Sequence, residues 1–241
     1  MKANLKFMRP FALSAVSLVA ICLGVAGLYS LTTVAAPPDS KGGLNPTSSS
    51  KSAATVNESS APSKAVATLA GGCFWCTEAV FERMIGVEDV VSGYTGGQVP
   101  NPNYQMVLTG QTGHAEAIQI HYDPSKTSYE EILEVFFGTH DPTTLNRQGA
   151  DVGTQYRSAV FYQDEQQKEL AEAYIKQLNE SPEFRRRPIV TTLEPLKEFY
   201  PAEEYHQDYF RKNPTAGYCQ MVVRAKVNKF QRSFQDKVKK D

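Results

Sequence analysis

Between residues 65 and 85 the apolar pattern changes period across a pair of glycines. Ala65-Val66-Ala67-Thr68-Leu69-Ala70 is a short continuous apolar run of strand length. Beyond Gly71-Gly72, the residues Ala79, Val80, Phe81, Met84 and Ile85 recur at helical spacing, and Gly86 supplies a stop. The chain must therefore run strand, tight turn, helix, with Cys73 at the junction. A thiol placed there is expected to meet free backbone N–H groups and the positive end of a helix dipole, a setting that favours thiolate and so a nucleophile. Cys76 follows three residues later, on the same helix face.

Only part of the 241 residues fits one globule. Residues 11–36 carry no charge and follow Lys2, Lys6 and Arg9, the pattern of a basic leader and a hydrophobic segment long enough to cross a bilayer. Residues 1–36 are thus expected to be a signal-anchor or signal peptide, retention being favoured over cleavage because Pro37 follows Val34-Ala35-Ala36. The positive flank would stay inside, leaving the rest exported, membrane-anchored or periplasmic or lumenal. Residues 37–64, rich in Ser, Pro, Gly and Asn, read as a flexible linker. Residues 65–225 form the expected catalytic domain and 226–241 a basic tail, read as a surface helix. A formal charge of −1 gives no electrostatic case for nucleic acid.

The remaining pattern predicts strands over 87–93, 115–122, 157–162 and 189–193, and helices over 129–139, 165–180 and 202–211. In 115–122, Ala117, Gln119 and His121 alternate with Ile118, Ile120 and Tyr122, as on a half-buried strand. Ser128 and Glu131 form a capping box, and Pro201 is placed at the first position of the last helix. Residues 94–113, with six Gly or Pro, and 140–155 are two long loops, and loops of that length are usually functional. Irregular alternation of helices with amphipathic strands predicts an α+β two-layer sandwich with a mixed or antiparallel sheet.

Cys73, Cys76 and Cys219 are too few for a disulfide scaffold, which favours redox chemistry. A zinc site would need two more ligands, and no second C-x-x-C or paired histidine motif is present. Cys219 lies in Asn213-Pro214-Thr215-Ala216-Gly217-Tyr218-Cys219, a segment expected to be flexible, as a thiol that must reach a sulfenic acid would require.

From about Ala65 to Gln220 the chain resembles the A-type peptide methionine sulfoxide reductases. The anchors are Gly71-Gly72-Cys73-Phe74-Trp75, Gly93-Tyr94-Thr95-Gly96-Gly97, Gly113-His114-Ala115-Glu116, His140-Asp141-Pro142, the run from Asp151 to Ser158, and Tyr205-His206-Gln207. The resemblance implies a ferredoxin-like core and reduction of the S epimer of methionine sulfoxide, free or in proteins. It implies Cys73 as nucleophile, Phe74 and Trp75 as the walls for the substrate methyl, and Glu116 as the acid at the sulfoxide oxygen. Tyr104 and Tyr156 would hydrogen-bond that oxygen, Asp151 would line the pocket, and Cys219 would resolve. Where many members have Gly after the Phe-Trp pair, this chain has Cys76. Cys219 is favoured as the resolving thiol, with Cys76 as partner or relay.

Such a reaction needs no metal or organic cofactor, only an external thioredoxin-like reductant to open the disulfide. Glu116 must stay protonated at neutral pH, which burial would achieve. The chain is expected to act as a monomer. The competing reading is a thiol–disulfide oxidoreductase that uses Cys73 and Cys76 alone; it leaves the two polar loops without a role.

Overall fold

The computed structural model describes residues 64–240. The expected anchor and nearly all of the expected linker lie outside the described residues. Among those described, no helix is long and apolar enough to cross a membrane.

The chain runs β1 (Ala65–Gly71), α1 (Phe74–Phe81), β2 (Val87–Thr95), α2 (Tyr104–Leu108), β3 (Ala115–Tyr122), α3 (Tyr129–Thr139), β4 (Arg147–Gln148), β5 (Asp151–Val152), β6 (Ser158–Tyr162), α4 (Glu165–Glu180), β7 (Thr192–Pro195), β8 (Phe199–Pro201), α5 (Tyr209–Lys212) and α6 (Arg224–Ser233). Six strands form one sheet in the order β7-β6-β1-β3-β2-β8, antiparallel except for the β6–β7 pair. Its centre, β6-β1-β3-β2 with α1 and α3 as crossovers, is the β-α-β-β-α-β ferredoxin-like unit. The α+β expectation therefore holds.

Period-two alternation sorts the core into two faces. Leu69, Ile118, Ile120 and Val160 face the helices and join Phe74, Phe81, Phe136 and Phe230 in the main cluster. Ala70, Ala115, Ala117, Ala159 and Phe161 form a thinner cluster against Leu196 and Phe199 on the other face. Glu116 shares parity with Ile118 and Ile120, so β3 aims a carboxyl into the layer that α1 covers. The Ser128–Glu131 capping box opens α3 as expected.

Several boundaries differ from the sequence expectations. The first long loop contains α2, capped by the Asn103 side chain, which accepts the Met106 N–H. The second contains the short β4–β5 hairpin. The strand expected at 189–193 forms at Thr192–Pro195. No helix spans 202–211: Pro201 ends edge strand β8, where its missing N–H is tolerated, and Asp208 turns left-handed at φ 54° before the single turn of α5. The segment around Cys219 is helical rather than flexible, with a π-helical stretch at Cys219–Val223 leading into α6. Nor does the compact body stop at 225. Val227, Phe230 and Phe234 are buried in the main core, and Val238 bridges Met84. The basic tail is thus one exposed face of a helix whose other face closes the domain.

Candidate active site

Gly71-Gly72 turns the chain from β1 into α1. Gly72 adopts φ +90°, and a Cβ there would stand 2.5 Å from the Gln148 side chain, so the turn tolerates only glycine. The turn leaves Cys73 as the N-cap of α1, and the next residue's N–H, on Phe74, donates to Glu116 Oε2 at 3.0 Å. The first free donor of the helix therefore meets the carboxyl and not the sulfur.

A cavity of 150 Å³ is lined by Cys73, Phe74, Trp75, Tyr104, Glu116, Asp151, Tyr156 and Tyr218. Seven of these residues were candidates from the sequence, and they come from α1, α2, β3, the β4–β5 hairpin and the turn before β6. Tyr218 is the addition. Cys76 and Cys219 lie outside the lining. Roomier hollows lie beside Glu82 and Lys239, beside His114 and Tyr200, and beside Ile175 and Leu193, and these three have no thiol in their lining. Among the described residues no group of three or more His, Cys, Asp or Glu is arranged to hold a metal.

The electrostatics favour protons on the carboxyl of Glu116 and on the three phenols that line the cavity. Glu116 is 2% exposed. Burial, with Asp151 and Cys76 nearby, pushes its carboxyl up to about 8 against the pull of the Phe74 N–H. Burial and Glu116 push the Tyr104 phenol up to about 12 and Tyr156 in the same direction. Tyr218 is raised by burial and by Cys73; its hydroxyl donates to Asp151 Oδ2 at 2.7 Å and lies 3.8 Å from Cys76 Sγ.

The thiols correct one expectation. Cys73 is not a depressed, preformed thiolate: burial, then Cys76 and Glu116, push it well above an ordinary cysteine. Desolvation is the largest of these causes, and the Tyr218 hydroxyl is the one that opposes them. Cys76 moves the other way, to about 7, with the adjacent Cys73 thiol as its main support. Cys219 is buried and raised by burial and by the nearby Cys76, so it sits inside a helical turn and not on the open loop expected there.

The aromatic wall has its own scaffold. The Trp75 indole N–H donates to His206 Nδ1 at 3.1 Å, and the indole stacks on Tyr209 at 3.7 Å and 8°. Acceptance at Nδ1 places the His206 ring proton on Nε2, a buried atom without a hydrogen-bond partner that stands 4.0 Å from Glu203. Glu203 accepts the Tyr94 hydroxyl at 2.8 Å and the Tyr104 N–H at 2.9 Å. His206, Tyr209, Tyr218 and Glu203 had no role in the sequence reading. Tyr205-His206-Gln207 and Gly217-Tyr218-Cys219 were visible as motifs, but their contacts to Trp75 and Asp151 are long-range.

A thiol, a buried carboxyl that favours its proton and three phenols around a small aromatic-walled cavity define a site for cysteine chemistry on a small group that pairs an apolar end with an oxygen needing hydrogen-bond donors. Comparison with known proteins agrees. The family model described as "Peptide methionine sulfoxide reductase" matches residues 65–238. MsrA 1 of Rhodopirellula baltica is 65% identical over 178 residues, 74% of this chain and 91% of that protein. MsrA of Deinococcus radiodurans is 54% identical over 72% of this chain and 84% of its own length. Among solved structures, methionine sulfoxide reductase A of Corynebacterium diphtheriae superposes with TM-score 0.59 at 34% identity, covering 67% of this chain and 80% of that one. Mxr1 of Saccharomyces cerevisiae in reduced form gives 0.58 at 39% identity, covering 65% and 89%. The chain belongs to the peptide methionine sulfoxide reductase family, A type, an oxidoreductase family acting on a sulfoxide.

Proposed function

We propose that the protein reduces the S epimer of methionine sulfoxide, free and in oxidised proteins, through Cys73. The observation that carries this reading is a carboxyl pushed up to about 8, facing the same cavity as the thiol. Phe74 and Trp75 receive the thioether methyl. The Cys73 sulfur attacks the sulfoxide sulfur and forms an S–S bond as Glu116 delivers a proton to the oxygen, Tyr104 and Tyr156 donating hydrogen bonds to it, and the thiol proton passes to the Glu116 carboxylate. That second proton lets the S–O bond break with loss of water; water then attacks the Cys73 sulfur, returning a proton to Glu116, and the S–S bond breaks with its electron pair going to methionine. The sulfoxide sulfur gains two electrons, Cys73 loses two, and the products are methionine and the Cys73 sulfenic acid.

Cys76 resolves first. It adjoins Cys73, and the hydrogen bond from the Cys73 thiol lowers it below an ordinary cysteine, which favours it as the attacking thiol. Its attack on the sulfenic acid forms the Cys73–Cys76 disulfide and releases water. Cys219, close enough to Cys76 to feel its charge, then exchanges with it once the π-helical turn opens, and Cys73 returns as thiol. A thioredoxin-like dithiol closes the cycle, with no metal or organic cofactor. We further propose that residues 1–36 carry the enzyme to or across a membrane; the basic residues ahead of an uncharged run support this.

Intact mass after one equivalent of methionine S-sulfoxide, with peptide mapping, tests the scheme. The unmodified protein should lose 2 Da per disulfide formed, roughly the mass of two hydrogens, and map to 73–76 or 76–219. Cys73→Ser should neither turn over nor change mass. Turnover in that variant would remove Cys73 as nucleophile.

A further inference from the structure

Behind the aromatic wall stands a buried carboxyl that the chemistry does not use. Glu78 lies on α1, three residues after Trp75, and is 1% exposed. Its Oε1 accepts the Ser92 hydroxyl at 3.0 Å and the Asp208 N–H at 3.1 Å, and its Oε2 accepts the Tyr209 N–H at 3.2 Å. Asp208 is the left-handed residue that opens α5, a conformation a non-glycine residue keeps only when its surroundings hold it. Here both backbone donors of that turn end on one side chain.

Whatever Glu78 restrains touches Trp75. The Tyr209 ring lies flat on the indole, and His206 accepts the indole N–H. Between them Gln207 clips to β2, accepting the Ser92 N–H and donating to the Ser92 carbonyl, each at 2.9 Å. Residues 206–209 therefore form one strap, fastened to β2 by Gln207 and to α1 by Glu78, with its aromatic side chains against the substrate wall. Burial lifts Glu78 to about 7 despite its three donors, and the Glu82 and Asp208 carboxylates add to the local negative charge. An apolar residue of similar size would fill the space without that desolvation cost. What the carboxyl adds is a fixed strap.

We propose that Glu78 is a positioning residue for the methyl-binding wall: by holding the Asp208 and Tyr209 N–H groups it keeps Tyr209 and His206 seated on Trp75, and so sets the affinity for the sulfoxide's methyl side. The proposal rests on the Cys73 reading of the site and deepens it.

Trp75 is the only tryptophan in the chain, so its emission reports the wall directly. Glu78→Gln retains the shape but turns an amide N–H₂ toward one of the donors. In the folded variant, Trp75 emission should shift to the red and its quenching by acrylamide should rise. With dithiothreitol as reductant, KM for methionine S-sulfoxide should rise about tenfold, whereas Cys73 oxidation at saturating sulfoxide should stay within about threefold. Should Glu78→Gln fail to fold by circular dichroism, Ser92→Ala removes one donor and should give a smaller change of the same sign. Folded variants with unchanged emission and unchanged KM would overturn the proposal, as would a loss confined to the saturating rate. Lack of sulfoxide turnover in the unmodified protein would instead refute the reductase reading, and the fluorescence comparison would still decide the role of Glu78.

Discussion

Glu116→Gln should slow the enzyme and stabilise it, by amounts that depend on pH in opposite ways. The carboxyl is carried from an ordinary 4.5 to about 8 in the folded protein. A group raised on folding contributes its full stability below the unfolded value and loses it as pH rises through the folded value. In the window from 4.5 to 8 the unfolded chain has released a proton that the folded chain still holds. At roughly 1.4 kcal/mol for each tenfold change in proton affinity, the folded state gives up about 3 kcal/mol by pH 7, about 4 kcal/mol at pH 8 and about 5 kcal/mol well above it. An amide of the same shape carries no such penalty and can still accept the Phe74 N–H through its oxygen. The variant should therefore match the unmodified protein near pH 4.5 and exceed it by about 3 kcal/mol at pH 7, a rise of roughly 6–12 °C in Tm for a domain of this size. Its single-turnover rate at pH 7 should fall about a hundredfold, the lower end for a lost general acid, because the amide still donates a hydrogen bond. In the unmodified protein the rate should decline above pH 8, a limb the variant lacks. Guanidinium melts at pH 5, 7 and 8, paired with rapid-quench trapping of the sulfenic acid, measure both effects. A stability difference that stays flat from pH 5 to 8 would refute the buried-acid argument, whatever the rates show.

The remaining predictions concern the thiols and the last helix. Cys76→Ser should leave the first turnover within about threefold and let the Cys73 sulfenic acid accumulate, readable as a dimedone adduct; rapid disulfide formation to Cys219 in that variant would restore Cys219 as first resolver. Cys219→Ser should still form the 73–76 disulfide but recycle slowly with a thioredoxin-like donor. Phe230, fully buried on α6 and stacked 6.0 Å from Phe234, should cost about 3–5 kcal/mol as Phe230→Ala in a denaturant melt. A change under about 1 kcal/mol would return α6 to the status of a surface appendage.

What the sequence makes legible here is whatever short-range chemistry settles. The β1–Gly–Gly–α1 switch, the alternation of β3 and the Ser128–Glu131 box each depend on neighbours within a few residues, and each is found where the pattern places it. The Asn103 cap of α2 was equally local and readable in Asn-Tyr-Gln-Met, but the surrounding Gly and Pro hid it. The strap at 206–209 was beyond reach. Its Gln207–Ser92 clip joins residues 115 apart, and the Asp208 N–H ends on Glu78, 130 residues away. Read locally, that segment looks like a helix. Cys219 misleads for the same reason: Gly and Pro upstream suggest mobility, yet Val223, Val227 and Phe230 bury the helix it begins.

The raised Cys73 thiol looks adverse only if the reaction needs a thiolate waiting at rest. The stoichiometry does not require one. A thiol and a sulfoxide give a sulfenic acid and a thioether, with one proton on each side, so an active site that enters the cycle protonated can leave it protonated. A permanent thiolate beside a carboxylate would instead place two negative charges in one 150 Å³ cavity, and the structure opposes that state at both groups: burial and Glu116 raise Cys73, and burial, Asp151 and Cys76 raise Glu116. Charge develops only when the sulfoxide arrives. Its oxygen draws the Glu116 proton and its sulfur draws the Cys73 lone pair, so the thiol proton has a new acceptor in the carboxylate being formed. The proton count at rest thus makes the buried acid and the unactivated thiol two halves of one device, and it ties nucleophile activation to the presence of substrate.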